Sequence, residues 1–248
     1  MNLLEGNHIC KTYARGKSTV KALDDVSFTL TDGEILGIVG ESGSGKSTLL
    51  RQISGLDAPD SGEILLSGRP LGKKRTREDY RTIQMIFQDA VGSFHPRRRI
   101  VSSIRESVHN LCGGDAEPDL EGLCALVGLD RTLAERYPRN LSGGQCQRFA
   151  IARAVAVDPK ILLCDEVTSA LDVSSQAQVL KLLADVVREK HMSAIFVSHD
   201  LAVVSCICDH VMVMYHGKVV EEGDVRAVID HPRDEYSQKL ISSVLEVK

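Results

Sequence analysis

Short apolar runs alternate along the chain with segments of helical periodicity. Residues 34–39 and 161–164 predict buried strands, because they are almost wholly apolar and end at Gly40 and Asp165. Between residues 173 and 190, apolar side chains recur on one face of a 3.6-residue helix, and residues 194–197 form another strand-like run. This alternation predicts βαβ units, in which helices connect the strands of a largely parallel sheet.

Two other stretches depart from this pattern. Residues 26–30 alternate apolar and polar side chains, and residues 63–66 lie between two glycines, which predicts short antiparallel strands beside the main sheet. Residues 90–140 contain few β-branched runs and several helical pieces, so an inserted helical lobe is expected. The predicted fold class is α/β, with a mostly parallel central sheet, an antiparallel β subdomain and an inserted α-helical lobe.

The composition is that of an ordinary globular chain. A length of 248 residues fits one large domain with an inserted lobe as well as two domains. With 30 Lys+Arg against 34 Asp+Glu, the formal charge of −4 leaves no basic footprint for nucleic acid. No apolar run approaches the roughly 18 residues that span a bilayer, and the N-terminus does not resemble a secretory signal. A cytoplasmic chain is therefore expected.

Smaller features of composition concern the cysteines and one basic cluster. Seven scattered cysteines, an odd number, suit reduced thiols. Cys206 and Cys208 lack a second pair at ligand spacing, so a role in packing is favoured over a metal site. The basic residues 73–77 are expected on a loop as solvated charge.

A phosphate-binding loop follows the first predicted buried strand. Residues 40–48 satisfy G-x-x-x-x-G-K-[ST], because four residues separate Gly40 from Gly45, and Lys46 and Ser47 follow. Glycines let successive backbone N–H groups turn into one cavity, and the next helix adds the positive end of its dipole. We therefore expect a P-loop NTPase in which Lys46 reaches the β- and γ-phosphates and Ser47 offers its hydroxyl to Mg²⁺.

Two acids end the second buried strand. Asp165 is expected to hold Mg²⁺ through water, since this ion keeps several of its waters. Glu166, one residue further, is placed to orient or deprotonate the water that attacks the γ-phosphate. The alternative is an ordinary acidic turn, but the apolar strand before these acids and the phosphate loop upstream favour the catalytic interpretation.

Several short motifs resemble those of ATP-binding cassette (ABC) ATPases, and they occur along this chain in the order that the family has. They are the signature sequence at residues 141–145, the adenine-stacking aromatic at Tyr13, the Q-loop glutamine at Gln88, the D-loop at residues 169–172 and the switch histidine at His199. Stacking on an aromatic ring needs no hydrogen-bond readout of the base. A neutral glutamine can engage the metal or the attacking water without stranding a charge, and a histidine can hydrogen-bond the γ-phosphate.

The resemblance covers nearly the whole chain and implies its domain organisation. A single ABC ATPase domain would span residues 1–248. Residues 1–89 and 157–248 would form a RecA-like core that carries the antiparallel β part. Residues from about 90 to 156 would form a helical subdomain with the signature motif.

The signature before a helix is a second phosphate-binding arrangement, and one triphosphate does not need two such cradles from one chain. In the family, two cassettes pair head to tail, so that the signature of one closes over ATP on the phosphate loop of the other. The resemblance implies the cofactors ATP and Mg²⁺, the catalytic residues Lys46, Gln88, Glu166 and His199, and the metal ligands Ser47, Gln88 and Asp165. It implies ATP contacts at Tyr13, Gly40, Glu41, Ser42, Gly43, Ser44, Gly45, Lys46, Ser47 and Thr48, and in trans at Ser142, Gly143, Gly144, Gln145 and Asp172.

Two further segments are similar to importers of the oligopeptide, dipeptide and nickel group. Residues 87–97 resemble their Q-loop extension, and residues 231–240 resemble their C-terminal His-Pro-x-x-x-Tyr element. An amphipathic terminal helix introduced by Pro explains the second segment equally well. Phe94 and His95 replace the Leu-Asn usual in that extension, which leaves the substrate open. Cys146, directly after the signature, is also unusual, and we expect its modification to impair closure of the paired cassettes.

The resemblance implies the ATPase subunit of an importer for peptides, nickel or metal chelates at the cytoplasmic face of the cell membrane. Its partners would be separate transmembrane permease subunits, a second cassette in a homo- or heterodimer and, indirectly, an extracytoplasmic substrate-binding protein, without nucleic acid. Two alternatives share its chemistry. One is an exporter or lipid-extraction cassette, and the other is a soluble cassette outside transport, which usually carries two cassettes or a long coiled-coil insertion.

Overall fold

The computed structural model describes residues 1–16, 18–169 and 171–245. These residues form two compact units. The first unit consists of Met1–Arg75 and Ser193–Lys248, and the second of Thr76–Met192. The predicted helical lobe at residues 90–156 therefore lies wholly inside the second unit, which also includes strands and a helix on either side of it.

The strands and helices have the following bounds in chain order. The strands are β1 (Asn2–Arg15), β2 (Ser18–Thr31), β3 (Ile35–Val39), β4 (Ser61–Leu66), β5 (Arg69–Pro70), β6 (Ile83–Ile86), β7 (Ile161–Asp165), β8 (Ser193–Ser198), β9 (His210–Tyr215) and β10 (Lys218–Asp224). The helices are α1 (Lys46–Ile53), α2 (Arg77–Thr82), α3 (Ile100–Cys112), α4 (Leu120–Leu126), α5 (Gly143–Val155), α6 (Val173–Glu189), α7 (Leu201–Ile207), α8 (Val225–Asp230) and α9 (Glu235–Leu245).

An antiparallel sheet opens the first unit. Its strands lie in the order β2-β1-β4-β5, and each neighbouring pair is antiparallel. Alternation along β2 buries Leu23, Val26, Phe28 and Leu30 on one face, as expected of a sheet with one face on the core and one in solvent. The prediction of antiparallel strands at residues 26–30 and 63–66 is confirmed, although β2 extends well beyond the predicted part.

The first unit also contains the mostly parallel strands that carry the phosphate loop. They lie in the order β10-β9-β3-β8, with β3 parallel to β8 and β9, and with β10 antiparallel to β9. Every residue of β3 is buried, which explains its continuous apolar sequence. Helix α7 packs directly on this strand: a Cβ on Gly37 would lie 2.5 Å from Cγ1 of Val204.

The second unit combines helices with a parallel pair of strands. Strand β6 pairs with β7 in parallel register, and helix α5 contacts β6 as well as α3, α4 and α6. These contacts explain why the unit is larger than the predicted lobe: the helix that begins at the signature packs on strand β6 and helix α6, which both lie outside residues 90–156. The predicted strand at 161–164 and helix at 173–190 are confirmed as β7 and α6.

Arg75, in the basic cluster at residues 73–77, is not solvated charge. The Arg75 guanidinium donates to the carbonyl oxygens of Gln52 (2.9 Å) and Ile53 (3.3 Å), in the last turn of α1. A cation at a helix C-terminus satisfies carbonyls that lack helical partners and complements the dipole. The expectation of solvated charge is therefore wrong for Arg75, whereas Lys73 and Lys74 are exposed.

Across the described ranges, we find no helix with both the length and the apolar character needed to cross a membrane.

Candidate functional site

The loop between β3 and α1 has a backbone shape that requires glycine at two positions. Gly40 has a φ of 148° and Gly45 a φ of 107°, a region that residues with a Cβ rarely adopt. A Cβ on Gly40 would lie 2.1 Å from the carbonyl oxygen of Met214, and a Cβ on Gly45 would lie 2.4 Å from that of Ala22. The spacing of the two glycines is therefore a steric requirement of this turn.

The side chain of Lys46 is buried under this loop. It is 4% exposed, and its Nζ donates to the carbonyl oxygens of Gly40 (2.7 Å) and Glu41 (2.8 Å). A phosphate oxygen is a stronger acceptor for an ammonium than these neutral carbonyls. The neighbouring Ser47 is exposed. Among the described residues no side chain caps the N-terminus of α1, so its backbone N–H groups are suited to an anion. The loop thus fits the phosphates of a nucleotide.

The rest of the predicted phosphate loop is held by the C-terminal part of the first unit. The backbone N–H of Glu41 donates to the Tyr236 hydroxyl (2.9 Å), and the carbonyl oxygen of Ser44 accepts from Gly217 N–H (3.0 Å). Ser42 and Gly43, between these anchors, are exposed. Tyr236 contacts the loop from 195 positions away in the chain, and no spacing in the sequence predicts that contact.

Tyr13 lies beside the start of α1 in a cluster of charged residues. Its hydroxyl donates to Oδ2 of Asp57 (2.5 Å), and Lys11 Nζ lies 5.4 Å from the ring centroid. Burial and the Asp57 carboxylate raise the pKa of Tyr13, whereas a hydrogen bond with Thr48 of the phosphate loop lowers it. The ring remains open to solvent, because 37% of the Tyr13 surface is exposed.

Lys11 and Asp57 form an ion pair, and Asp57 is also the acceptor of the Tyr13 hydroxyl. Lys11 Nζ lies 2.9 Å from Asp57 Oδ1 and donates to the carbonyl oxygen of Ala58 (2.7 Å). Burial by itself lowers the pKa of Lys11, but the hydrogen bonds and charges of Asp57 and Asp60 outweigh it and raise that pKa. No motif in the sequence predicts the contacts of Lys11 with Asp57, Ala58 and Asp60.

His199 is the remaining predicted residue of the first unit. It follows the carboxyl end of β8 and is exposed. The next residue, Asp200, accepts from the backbone N–H of Ala202 and caps α7. An exposed imidazole at a strand end can meet a ligand that approaches that end.

In the second unit, three predicted residues gather at the end of β7. Gln88 Nε2 donates to Oε2 of Glu166 (3.2 Å) and to Oγ of Ser169 (3.0 Å). Its amide nitrogen is thus turned to these partners, which leaves the amide oxygen as a ligand for a metal or water. Asp165 is the last residue of β7. Ser169 belongs to the predicted D-loop, but no motif in the sequence predicts its contact with Gln88.

Glu166 has a constrained backbone. Its φ is 44°, in the left-handed region that costs a residue with a Cβ about 1–3 kcal/mol. Its carbonyl oxygen accepts from the N–H (3.1 Å) and the hydroxyl (3.0 Å) of Ser169. The turn after β7 therefore holds the Glu166 carboxylate in a defined position.

The signature residues form the start of helix α5. Ser142 Oγ accepts from the N–H of Gln145 (3.2 Å), and Gln145 Oε1 accepts from the N–H of Ser142 (3.0 Å), which completes a capping box. The Ser142 hydroxyl keeps its own hydrogen as a donor. Gly143 and Gly144 lie in the first turn of α5, where backbone N–H groups lack helical acceptors.

The D-loop leads into helix α6. Asp172 is the N-cap of that helix, because its side chain accepts from the N–H of Ser175 (3.0 Å). This cap gives Asp172 a role within the chain beside the predicted contact in trans. Ala170 of the same predicted motif lies outside the described residues.

The unusual residue Phe94 packs under a half-buried arginine of helix α5. Phe94 is 3% exposed, and the Arg153 guanidinium lies 4.3 Å from its ring centroid. Arg153 also donates to the carbonyl oxygen (2.8 Å) and the hydroxyl (3.0 Å) of Ser93. A cation over an aromatic face is attracted by its quadrupole. Arg153 therefore ties the Q-loop extension to the signature helix, a contact that the sequence analysis missed.

The structure buries Cys146, the residue that follows the signature. The residue is fully buried, and burial raises the pKa of its thiol. Its Sγ lies 3.5 Å from the carbonyl oxygen of Pro138. Since a reactive cysteine needs access and thiolate character, the native chain offers no target for modification here.

Comparison with known proteins places these features in one family. The ABC transporter family matches residues 23–169. The chain is 45% identical to the oligopeptide transport ATP-binding protein OppF of Haemophilus influenzae, over 98% of this chain and 78% of that protein. It is 46% identical to OppF of Salmonella typhimurium, over 91% of this chain and 70% of that protein.

Solved structures agree with this sequence similarity. The fold matches the ATP-binding cassette MJ0796, solved as a dimer bound to ADP and Pi, with a TM-score of 0.79 and 29% identity, over 90% of this chain and 99% of that one. It also matches cbiO1 of Clostridium perfringens, part of the ABC transporter complex cbiONQ, with a TM-score of 0.79 and 26% identity, over 99% and 97% of the two chains. The chain therefore belongs to the ABC transporter family and is one of its ATP-hydrolysing subunits.

Proposed function

We propose that this chain supplies the ATP hydrolysis that drives a peptide importer. The observation that carries the proposal is the similarity to OppF proteins over almost the whole chain. The buried Lys46 ammonium in a glycine-bounded loop supports the nucleotide-binding part. Both OppF relatives named above are described as oligopeptide transport ATP-binding proteins, so we favour peptides over nickel or metal chelates as the imported substrate.

The chemistry assigns a separate role to each side chain. Lys46 exchanges its loop carbonyls for the β- and γ-phosphate oxygens of ATP, and the N–H groups at the start of α1 bind the same phosphates. Glu166 orients and deprotonates the attacking water, as a general base that contributes about 10²–10⁴-fold. His199 hydrogen-bonds the γ-phosphate, and the Tyr13 ring stacks on adenine.

The donor set also suits Mg²⁺. Ser47, Gln88 and Asp165 would offer hydroxyl, amide and carboxylate oxygens, the ligand type that Mg²⁺ prefers, with Asp165 acting through water. When bound, Mg²⁺ neutralises negative charge on the phosphates as the bond to the γ-phosphate breaks.

A second cassette completes the proposed site. Residues 142–145 and Asp172 of one chain contact ATP on the phosphate loop of the other, through the Ser142 hydroxyl hydrogen and the N–H groups of Gly143 and Gly144. ATP then favours the closed pair, and loss of the γ-phosphate releases it. The assembly works at the cytoplasmic face of the cell membrane with transmembrane permease subunits and, indirectly, an extracytoplasmic substrate-binding protein.

The variant Glu166→Gln tests the proposal in cells and in solution. The purified variant should bind MgATP as the wild type does and hydrolyse it about 10²–10⁴-fold more slowly, because the amide cannot accept the proton. In cells that lack this chain, the wild type should restore uptake of a labelled tripeptide and Glu166→Gln should not. The matched control is Glu117→Gln, an exposed acid of the same unit, which should restore uptake.

Two results would contradict different parts of the proposal. If Glu166→Gln hydrolyses ATP close to the wild-type rate, Glu166 is not the general base. If cells without this chain keep normal tripeptide uptake and lose uptake of labelled Ni²⁺, the imported substrate is nickel and not a peptide.

A further inference from the structure

The proposed function leaves the C-terminal helix α9 without a role. Its second residue, Tyr236, reaches the phosphate loop, where the hydroxyl oxygen accepts from the backbone N–H of Glu41 at 2.9 Å. The N–H of Glu41 belongs to the same peptide group as the carbonyl of Gly40, and that carbonyl accepts from Lys46 Nζ at 2.7 Å. One peptide group at the start of the phosphate loop is therefore held at its N–H by Tyr236 and at its oxygen by Lys46.

The Tyr236 ring is fixed by its surroundings. It stacks on Tyr215, with centroids 4.1 Å apart and ring planes at 25°. Tyr215 ends strand β9, and its neighbour Met214 supplies the carbonyl oxygen that closely approaches Gly40. The Tyr236 backbone N–H donates to Oδ1 of Asp234 (2.8 Å). The hydroxyl that meets Glu41 is thus presented by a ring with little freedom.

The turn before α9 is anchored as well. The backbone N–H groups of Arg233 (2.9 Å) and Asp234 (3.2 Å) donate to the Glu221 carboxylate of β10. Burial by itself raises the pKa of Glu221, but its hydrogen bonds outweigh burial and lower that pKa. Burial raises the pKa of Tyr236, so its neutral hydroxyl can accept from Glu41 and keep its own hydrogen.

These contacts bear on the moment at which nucleotide enters. When Lys46 turns to phosphate oxygens, the Gly40–Glu41 peptide group loses the ammonium at its oxygen, while the Tyr236 contact at its N–H involves no phosphate. We propose that Tyr236 is a positioning residue for nucleotide binding, whose hydroxyl holds this peptide group in place while Lys46 exchanges loop carbonyls for phosphates. The inference rests on the proposed role of Lys46.

The test compares Tyr236→Phe with Tyr215→Phe in the full chain. Both variants keep the stacked rings and lose one hydroxyl, but only Tyr236→Phe loses the bond to Glu41. We expect Tyr236→Phe to weaken binding of MgATP roughly 2- to 10-fold, the equivalent of one neutral hydrogen bond, with unchanged kcat at saturating ATP and an unchanged Tm. Tyr215→Phe should bind as the wild type does.

A spectroscopic signature separates positioning from general support. The amide proton resonance of Glu41 should move in Tyr236→Phe and stay in Tyr215→Phe. A shifted Glu41 resonance with unchanged MgATP binding would overturn the proposal, as would equal losses of affinity in both variants.

If Tyr236→Phe does not fold, hydrogen exchange of the Glu41 amide in the wild type provides the test. Protection that persists on adding MgATP supports the proposal, and protection that disappears overturns it. Failure of the wild type to bind MgATP would instead reject the proposed function.

Discussion

Tyr13 shows how its neighbours orient a binding side chain. Its hydroxyl is fixed by Asp57, and Asp57 is in turn paired with Lys11. Burial by itself raises the pKa of Asp57, but hydrogen bonds from Tyr13 and Lys11 outweigh it and lower that pKa. Asp57 is therefore a stable anion that fixes the hydroxyl of the exposed ring, which we propose to stack on adenine.

We expect Asp57→Asn to weaken MgATP binding roughly 3- to 10-fold. The neutral amide makes a weaker bond to the Tyr13 hydroxyl than the carboxylate does, so the ring loses its orientation before stacking. Fluorescence titration with an ATP analogue measures the change. The control is Asp60→Asn, since Asp60 contacts Lys11 and the backbone N–H of Thr12. Equal affinities for Asp57→Asn and the wild type would show that the ring needs no anchor.

At the scale of elements, the helix that follows the phosphate loop is stabilised at its far end by a residue outside it. Helix α1 has only eight residues, and isolated helices of that length are marginal in water. The contacts of Arg75 with the carbonyl oxygens of Gln52 and Ile53 offset this weakness. The phosphate loop thus depends on a cation more than 20 residues downstream of α1.

Removal of that cation should destabilise the chain. We expect Arg75→Ala to lower the free energy of unfolding by about 1–2 kcal/mol, because it removes a charged donor and a favourable helix-dipole contact. Lys74→Ala, an exposed neighbour, should change it by less than about 0.5 kcal/mol. Urea unfolding measures both variants, and equal effects would show that the Arg75 contacts add nothing.

At the scale of the whole molecule, we propose that the signature residues and the phosphate loop are two phosphate-binding arrangements, which bind one ATP between two cassettes. A closed pair requires that ATP persist at the interface. The variant that binds but does not hydrolyse ATP is therefore the form in which pairing is observable.

We expect Glu166→Gln alone to form a dimer on addition of MgATP, as measured by size-exclusion chromatography with light scattering. The same chain with Lys46→Ala added should remain monomeric, since it loses the ammonium that binds phosphate. A monomer of Glu166→Gln that still binds MgATP would contradict pairing of this chain with itself and point to a different second cassette.

The sequence by itself determined the elements and the chemistry that depends on local spacing. Periodicity located the strands β3 and β7 and the helix α6, because burial of a strand or helix face imposes its own repeat on the chain. The glycine spacing located the phosphate loop, because a backbone with positive φ and close neighbours excludes a Cβ.

Only the tertiary structure decided which distant residues support that chemistry. It brought Tyr236 to Glu41, Arg153 to Phe94, and Gln88 to Ser169, and it buried the Cys146 thiol that the sequence left open to modification. None of these contacts has a repeat or spacing in the chain, since each joins residues from separate elements. Such contacts follow from tertiary packing, which brings side chains from distant parts of the chain within hydrogen-bond distance.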